Sequence, residues 1–207
     1  MAKRILPYRD YSEHDVVNMF SLKVESGDSL SGWVEASSGK WDSGVVVSVS
    51  AGALPGEVSE LRAETPDNLR DYLGASFSGA HIGFNGYPAN TGMTVAPAAA
   101  GGRGLGITLR ETLAFDENGE KLLYYKQKLD EAQGVLPGQT VPVLTRGLVL
   151  LSAGSIDGTP SVGDDLEIKA DGKLGSQSSG SVVGSVIAIG EESNDSSAKK
   201  YLCKVSF

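Results

Sequence analysis

Ser181-Val182-Val183-Gly184-Ser185-Val186-Ile187-Ala188-Ile189 and, beyond the polar stretch 191–198, Lys200-Tyr201-Leu202-Cys203-Lys204-Val205-Ser206-Phe207 decide the fold class. Both runs are rich in β-favouring residues, the second alternates apolar with polar positions, and a polar loop joins them, which is the pattern of an antiparallel hairpin. The device recurs towards the amino terminus. Residues 141–151 form an apolar run that leads to a turn through Asp157-Gly158-Thr159-Pro160, and Val162-Gly163-Asp164-Asp165 precedes another strand. Asp171-Gly172 then joins the runs 166–170 and 173–175. Asn118-Gly119 lies between the runs 107–117 and 120–125, and such a dipeptide supplies both positive-φ residues of a type I′ hairpin turn. Further upstream, 29–35, 40–42 and 44–50 read as strands.

Residues 57–61 and 67–73 carry signals of short helices, whereas 75–106 is rich in Gly, Pro and Ala without a sustained period, as expected of a loop or connector. The expectation is a mainly β protein. An antiparallel β-barrel or sandwich spans 135–207, a β-rich, loop-rich middle region spans 25–134, and an extended N-terminal arm spans 1–24. In the arm, Ser12 followed by Asp15 marks a short helix start carrying Val16, Met19 and Phe20. A segment this short cannot build a core with itself, so it must lie against the body or against another chain.

Composition narrows the function. The 207 residues carry a net charge of −8, which argues against a nucleic-acid partner because phosphate neutralisation needs concentrated Lys and Arg. No run approaches the roughly 18 apolar residues of a membrane helix, and residues 1–7 lack an apolar signal core, so no membrane partner is expected and synthesis is expected in the cytoplasm of whatever cell produces it. The single cysteine, Cys203, reads as a small core filler.

No site for catalysis or for a cofactor emerges. The two histidines, His14 and His81, lie far in sequence from Cys203, and no nucleophile elbow is present. Two histidines and one cysteine cannot furnish a structural zinc site. Gly101-Gly102-Arg103-Gly104-Leu105-Gly106 matches neither dinucleotide nor phosphate-loop spacing, and Asp116-Glu117-Asn118-Gly119-Glu120 fails the calcium-loop spacing because position 125 is Tyr125. The expectation is a non-enzymatic protein without metal or cofactor.

One resemblance is specific. The order Gly138-Gln139-Thr140-Val141-Pro142-Val143-Leu144-Thr145-Arg146-Gly147, then Val162-Gly163-Asp164, then Val183-Gly184-Ser185-Val186 and a closing strand resembles the small β-barrel of tailed-phage capsid decoration (cement) proteins. The opening Tyr8-Arg9-Asp10-Tyr11 through Phe20 resembles the amino-terminal arm of phage head proteins. The resemblance implies a cement protein on the outer surface of the virion, binding the major capsid protein and bridging its subunits. It implies self-association, with a trimer preferred over a dimer. Tyr8, Arg9, Tyr11, Val16, Met19, Phe20 and Leu22 are the expected capsid-contact residues of the arm, because aromatic, Met and Arg side chains dominate interface hot spots. Loops around 76–104 are a second candidate surface. A head fibre or adhesin binding host-surface glycans is the competing expectation, with Trp33 and Trp41 more at home in a core than on a glycan platform.

Overall fold

Tyr201, Cys203 and Val205 are buried while Lys204 is exposed, so the alternation at the carboxyl end becomes a strand with one face in the core. The structure, a computed structural model, describes residues 4–18, 20–22, 42–52, 93–113, 118, 120, 122–136, 139–192 and 195–207. Strand β15 (Asp195–Ser206) pairs antiparallel with β14 (Gly184–Glu192) on one side and with β10 (Arg146–Ser152) on the other. With β1 (Ile5–Asp10), β12 (Asp165–Ile168), β13 (Leu174–Ser176) and β11 (Ile156–Asp157) they form a seven-stranded sheet, β1-β10-β15-β14-β12-β13-β11.

The second sheet has six strands in the order β2-β9-β6-β4-β5-β3, built from β2 (Val16–Val17), β3 (Ser21–Leu22), β4 (Val46–Gly52), β5 (Met93–Pro97), β6 (Gly106–Thr108) and β9 (Val143–Leu144). Val46, Ile107 and Leu144 from this sheet join Val149, Leu151, Leu166, Val186, Tyr201 and Cys203 from the other in one inter-sheet core. Val45 and Val47, one residue to either side of Val46, are buried in a separate cluster with Leu22, Val95, Val141 and Val143. The six-stranded sheet is therefore apolar on both faces, which explains the unbroken valine run 45–47.

Each large sheet has two free edges among the described residues, so of the barrel and the sandwich the chain adopts the sandwich. The run 141–151 is not one strand. It changes sheets at Thr145, whose N–H and hydroxyl both donate to the carbonyl of Asp15 at 2.8 Å, tying this crossing to the one made by residues 11–15.

Of the hairpin expected around Asn118-Gly119, the second strand is not formed over 122–125, while Gly119 and residues 114–117 lie outside the described residues. Residues Leu122–Tyr124 form a 3-10 turn and Lys126–Glu131 form helix α1, followed by β8 (Gly134–Val135), which pairs in parallel with β7 (Glu111–Thr112). Leu122 of the 3-10 turn and Leu129 of α1 bury themselves with Leu113 and Leu136, and this apolar cluster holds the segment in place of a strand. The short helix start at Ser12 is present, with its side chain accepting from the N–H of His14 at 3.3 Å, but the 3-10 turn ends at Asp15. The β-branched pair Val16-Val17 then enters the sheet. Part of the Gly-rich stretch is also structural: Gly106 lies in β6, where a Cβ would come within 2.2 Å of the carbonyl oxygen of Leu144. The predicted strand 29–35, most of 40–42, the helices 57–61 and 67–73, Trp33, Trp41 and His81 lie outside the described residues.

Cys203 is fully buried, and burial pushes its thiol up to about 12. Glu167 is buried on β12 and accepts from the Lys169 ammonium, the Ser178 hydroxyl at 2.8 Å and the N–H groups of Ser178 at 3.0 Å and Ser179 at 3.1 Å. These donors, the Lys169 ammonium first, hold its carboxyl well below the usual carboxylate range. A lowered folded-state value contributes stability above the unfolded value, near 4.3, that is lost as pH falls through the folded value. Glu167→Gln is therefore expected to lower the melting temperature by several degrees at pH 7, with the gap to the parent narrowing only below about pH 4. Melting curves over that pH range check this; a gap already gone at pH 5 contradicts it.

Candidate functional site

The amino-terminal segment was the place to look for a contact surface, and the structure lays it along the body. Strand β1 pairs with β10, β2 with β9 and β3 with β5, so residues 5–22 supply three of the four edge strands of the two large sheets. The segment is extended and hydrogen-bonded along its length: Ser152 N–H donates to Arg4 O at 3.0 Å and Val141 N–H to Phe20 O at 2.9 Å. Gly147 permits the close approach, since a Cβ there would meet the Tyr11 Cβ at 2.6 Å.

This placement divides the expected contact residues. Leu22 is buried in the valine cluster, Phe20 packs against that cluster, and Tyr11 and Val16 pack partly buried against the inter-sheet core. Tyr8 stands out from β1 with 58% of its surface exposed, and Arg9 is half-buried with its Nη2 donating to Gln133 Oε1 at 3.1 Å. Met19 lies outside the described residues. In the second candidate surface, residues 99–103 are exposed, and residues 76–92 are outside the described residues.

Two further exposed aromatics, expected in a strand, lie instead at the start of α1. Tyr124 is 73% exposed and Tyr125 45% exposed at the start of α1, with the Lys128 ammonium 5.1 Å from the Tyr125 ring centre. Leu122 and Leu129 are buried on either side of Tyr124 and Tyr125, which stay exposed.

Between β1 and the α1 segment lies a hollow of about 560 Å3 lined by Arg4, Arg9, Arg110, Glu111, Lys128 and Gln133 among others. Burial pushes the Glu111 carboxyl up; the charge of Asp42 adds to this and Arg4 opposes it. A second, shallower hollow of about 1290 Å3 shares Ile5, Arg9, Leu109, Arg110 and Gln133, making one groove along β1. His14 is exposed and far from the buried Cys203 in burial and setting. Among the described residues no group of three or more His, Cys, Asp or Glu side chains is placed to hold a metal ion, and no helix is long and apolar enough to cross a membrane. The arrangement is one of exposed aromatic and arginine side chains on a hydrogen-bonded scaffold, which suits recognition of another chain.

Comparison with known proteins gives one match. The family model described as structural cement protein (E217 gp24/Pam3 gp6) matches residues 33–207, more than four fifths of the chain. No curated protein and no solved structure matches.

Proposed function

From the premise that the chain belongs to the phage structural cement protein family, and so is a cement component of the phage capsid, we propose that it sits on the outer surface of the head and bridges subunits of the major capsid protein. The observation that supports this most is the surface around β1. Tyr8 and Arg9 are hot-spot residue types presented on paired backbone, so little ordering entropy opposes binding, and Tyr124 and Tyr125 are exposed residues of the same type at the start of α1. Tyr11, Val16, Phe20 and Leu22 belong to this contact region by holding the segment on the body; Met19 is proposed as a contact by its position between them. A purely structural role without turnover fits the same surface, as does self-association around a symmetry axis of the shell, a trimer by preference and a dimer otherwise.

The test uses expanded heads lacking the protein. Purified protein should cosediment with them and raise the temperature at which they rupture. Tyr8→Ala should weaken binding about tenfold or more while leaving the melting temperature of the free protein within about 1 °C, because the side chain is exposed. Undiminished binding by Tyr8→Ala removes this strand from the contact. The glycan-binding alternative gains no support from the family match.

A further inference from the structure

The face of the seven-stranded sheet that turns away from the inter-sheet core is apolar along one row. Leu150 of β10 lies opposite Leu202 of β15, and Leu202 lies opposite Ala188 of β14. Paired residues share a face, and this one is the reverse of the face that buries Val149, Leu151, Tyr201 and Cys203. Leu150 and Leu202 are half-buried and Ala188 is exposed, and among the described residues none of the three joins an apolar cluster. A β-bulge widens the row. The register of β14 against β15 shifts between Val186 and Ala188, so Ile187 and Ala188 are exposed side by side where a regular strand would turn only one of them outwards. On the other side of Leu150 lies β1, where Asp10 pairs with Leu148 and alternation puts Tyr8 on the same face as Asp10. Pro7 and Arg9 accordingly line the hollow beside β1, whereas Tyr8 between them does not. Tyr8, Leu150, Leu202 and Ala188 thus span four adjacent strands, roughly 14 Å.

We propose that this face lies against an apolar patch of a capsid subunit, continuing the Tyr8 contact across the sheet. The proposal rests on the capsid-binding reading above and assigns the face and the chemistry of the partner. Family membership supplies the class of partner, and the row is continuous with Tyr8. Charge on the face disfavours other occupants. Arg146, Lys200 and Lys204 stand on it with Asp10 and Asp165, three charges of one sign against two of the other, so neither nucleic acid nor a strongly acidic or basic peptide finds a complement there. A second copy stacked with its strands aligned over Leu202 would set Lys200 and Lys204, which flank Leu202 on this face, against the same lysines of its neighbour. Burial of apolar side chains therefore supplies most of the affinity.

Cosedimentation of the full chain with expanded heads, with the free protein sized and melted in parallel, tests this. Binding by the parent should change by less than about threefold as salt rises from about 0.1 to about 0.5 M. Ala188→Lys and Ala188→Glu should each weaken binding about tenfold or more, because a charge of either sign must be desolvated against an apolar partner. Ile187→Lys should weaken it severalfold, and Val49→Lys, at 48% exposure on the other sheet, should leave it unchanged. Ile187 and Ala188 are both exposed, so the free variants should keep the parent's size and melt within about 2 °C of it. Should an Ala188 variant melt early, Ile187→Lys must still weaken binding. Parent binding that these variants leave unchanged while Tyr8→Ala weakens it overturns the apolar face and leaves the capsid-binding reading intact. An oligomer of the free parent that Ala188→Lys dissociates gives the face to a second copy and overturns the proposal, as does a steep loss of parent binding with salt. Early melting of every variant on the face means that the chain itself covers it, which also overturns the proposal. A parent that does not bind heads overturns both readings.

Discussion

Deletion of residues 1–24 is expected to unfold or aggregate the purified protein. Ile5 and Leu22 are buried at 8% and 5% exposure, and removing a buried Leu or Ile side chain typically costs about 2–5 kcal/mol. Two such losses are comparable with the whole stability of an ordinary domain, about 5–15 kcal/mol. The deletion also strips the partners from β10, β9 and β5, leaving their N–H and C=O groups open for pairing between molecules. Size-exclusion chromatography and thermal melting should show oligomers or a midpoint lowered by well over 10 °C. A monodisperse truncated protein with the parent's midpoint would show that the edge strands are dispensable. Loss of head binding by such a truncation therefore says nothing about contact, and single exposed side chains such as Tyr8 are the informative probes.

The second large effect is at Gly172. Its φ is +65°, and a Cβ there would lie 2.4 Å from the carbonyl oxygen of Val46 and 2.6 Å from a methyl group of Val45. The turn after β12 thus rests directly on the start of β4 in the opposite sheet, and the Gly172 N–H donates to the carbonyl of Ala98, just past β5, at 3.0 Å. Gly158 provides the control, with φ +78° and nothing within 4 Å of a built Cβ. Gly158→Ala bears only the backbone cost of about 1 kcal/mol. Gly172→Ala adds separation of the sheets and should cost about 3 kcal/mol or more, lowering the melting temperature by roughly 10 °C. Equal melting shifts for the two variants would mean that the seam has room to yield.

The same turn shows what the sequence made legible. Asp171-Gly172 was readable as a hairpin turn because its demand is local: Asp171 at φ +57° and Gly172 at +65° adopt the left-handed backbone such a turn needs. Val162-Gly163-Asp164 is of the same kind, with Gly163 at φ +92° and the Asp164 carboxylate accepting from Ser161 N–H at 2.8 Å. The carboxyl-terminal hairpin and the core role of Cys203 followed from alternation. Helix α1 was not legible, since Lys126–Glu131 is too short to show a period of its own and its register is set by Leu113 and Leu136. Nor was the groove: Arg4, Arg9 and Arg110 are brought together by β1 lying along the body, and sequence spacing carries no trace of that pairing.

The edge strands at the amino end have a consequence for synthesis. Ile5 pairs with Leu151 and Val16 with Leu144, so β1 and β2 must wait for partners more than a hundred positions later. Strand β10 in turn leans on β15, Val149 pairing with Cys203. Such high contact order makes folding slow and largely post-translational. A prematurely terminated chain lacks the neighbour that holds β10, and hence β1, in place. The backbone around Tyr8 and Arg9 is thereby held in place only once β15 has joined the sheet.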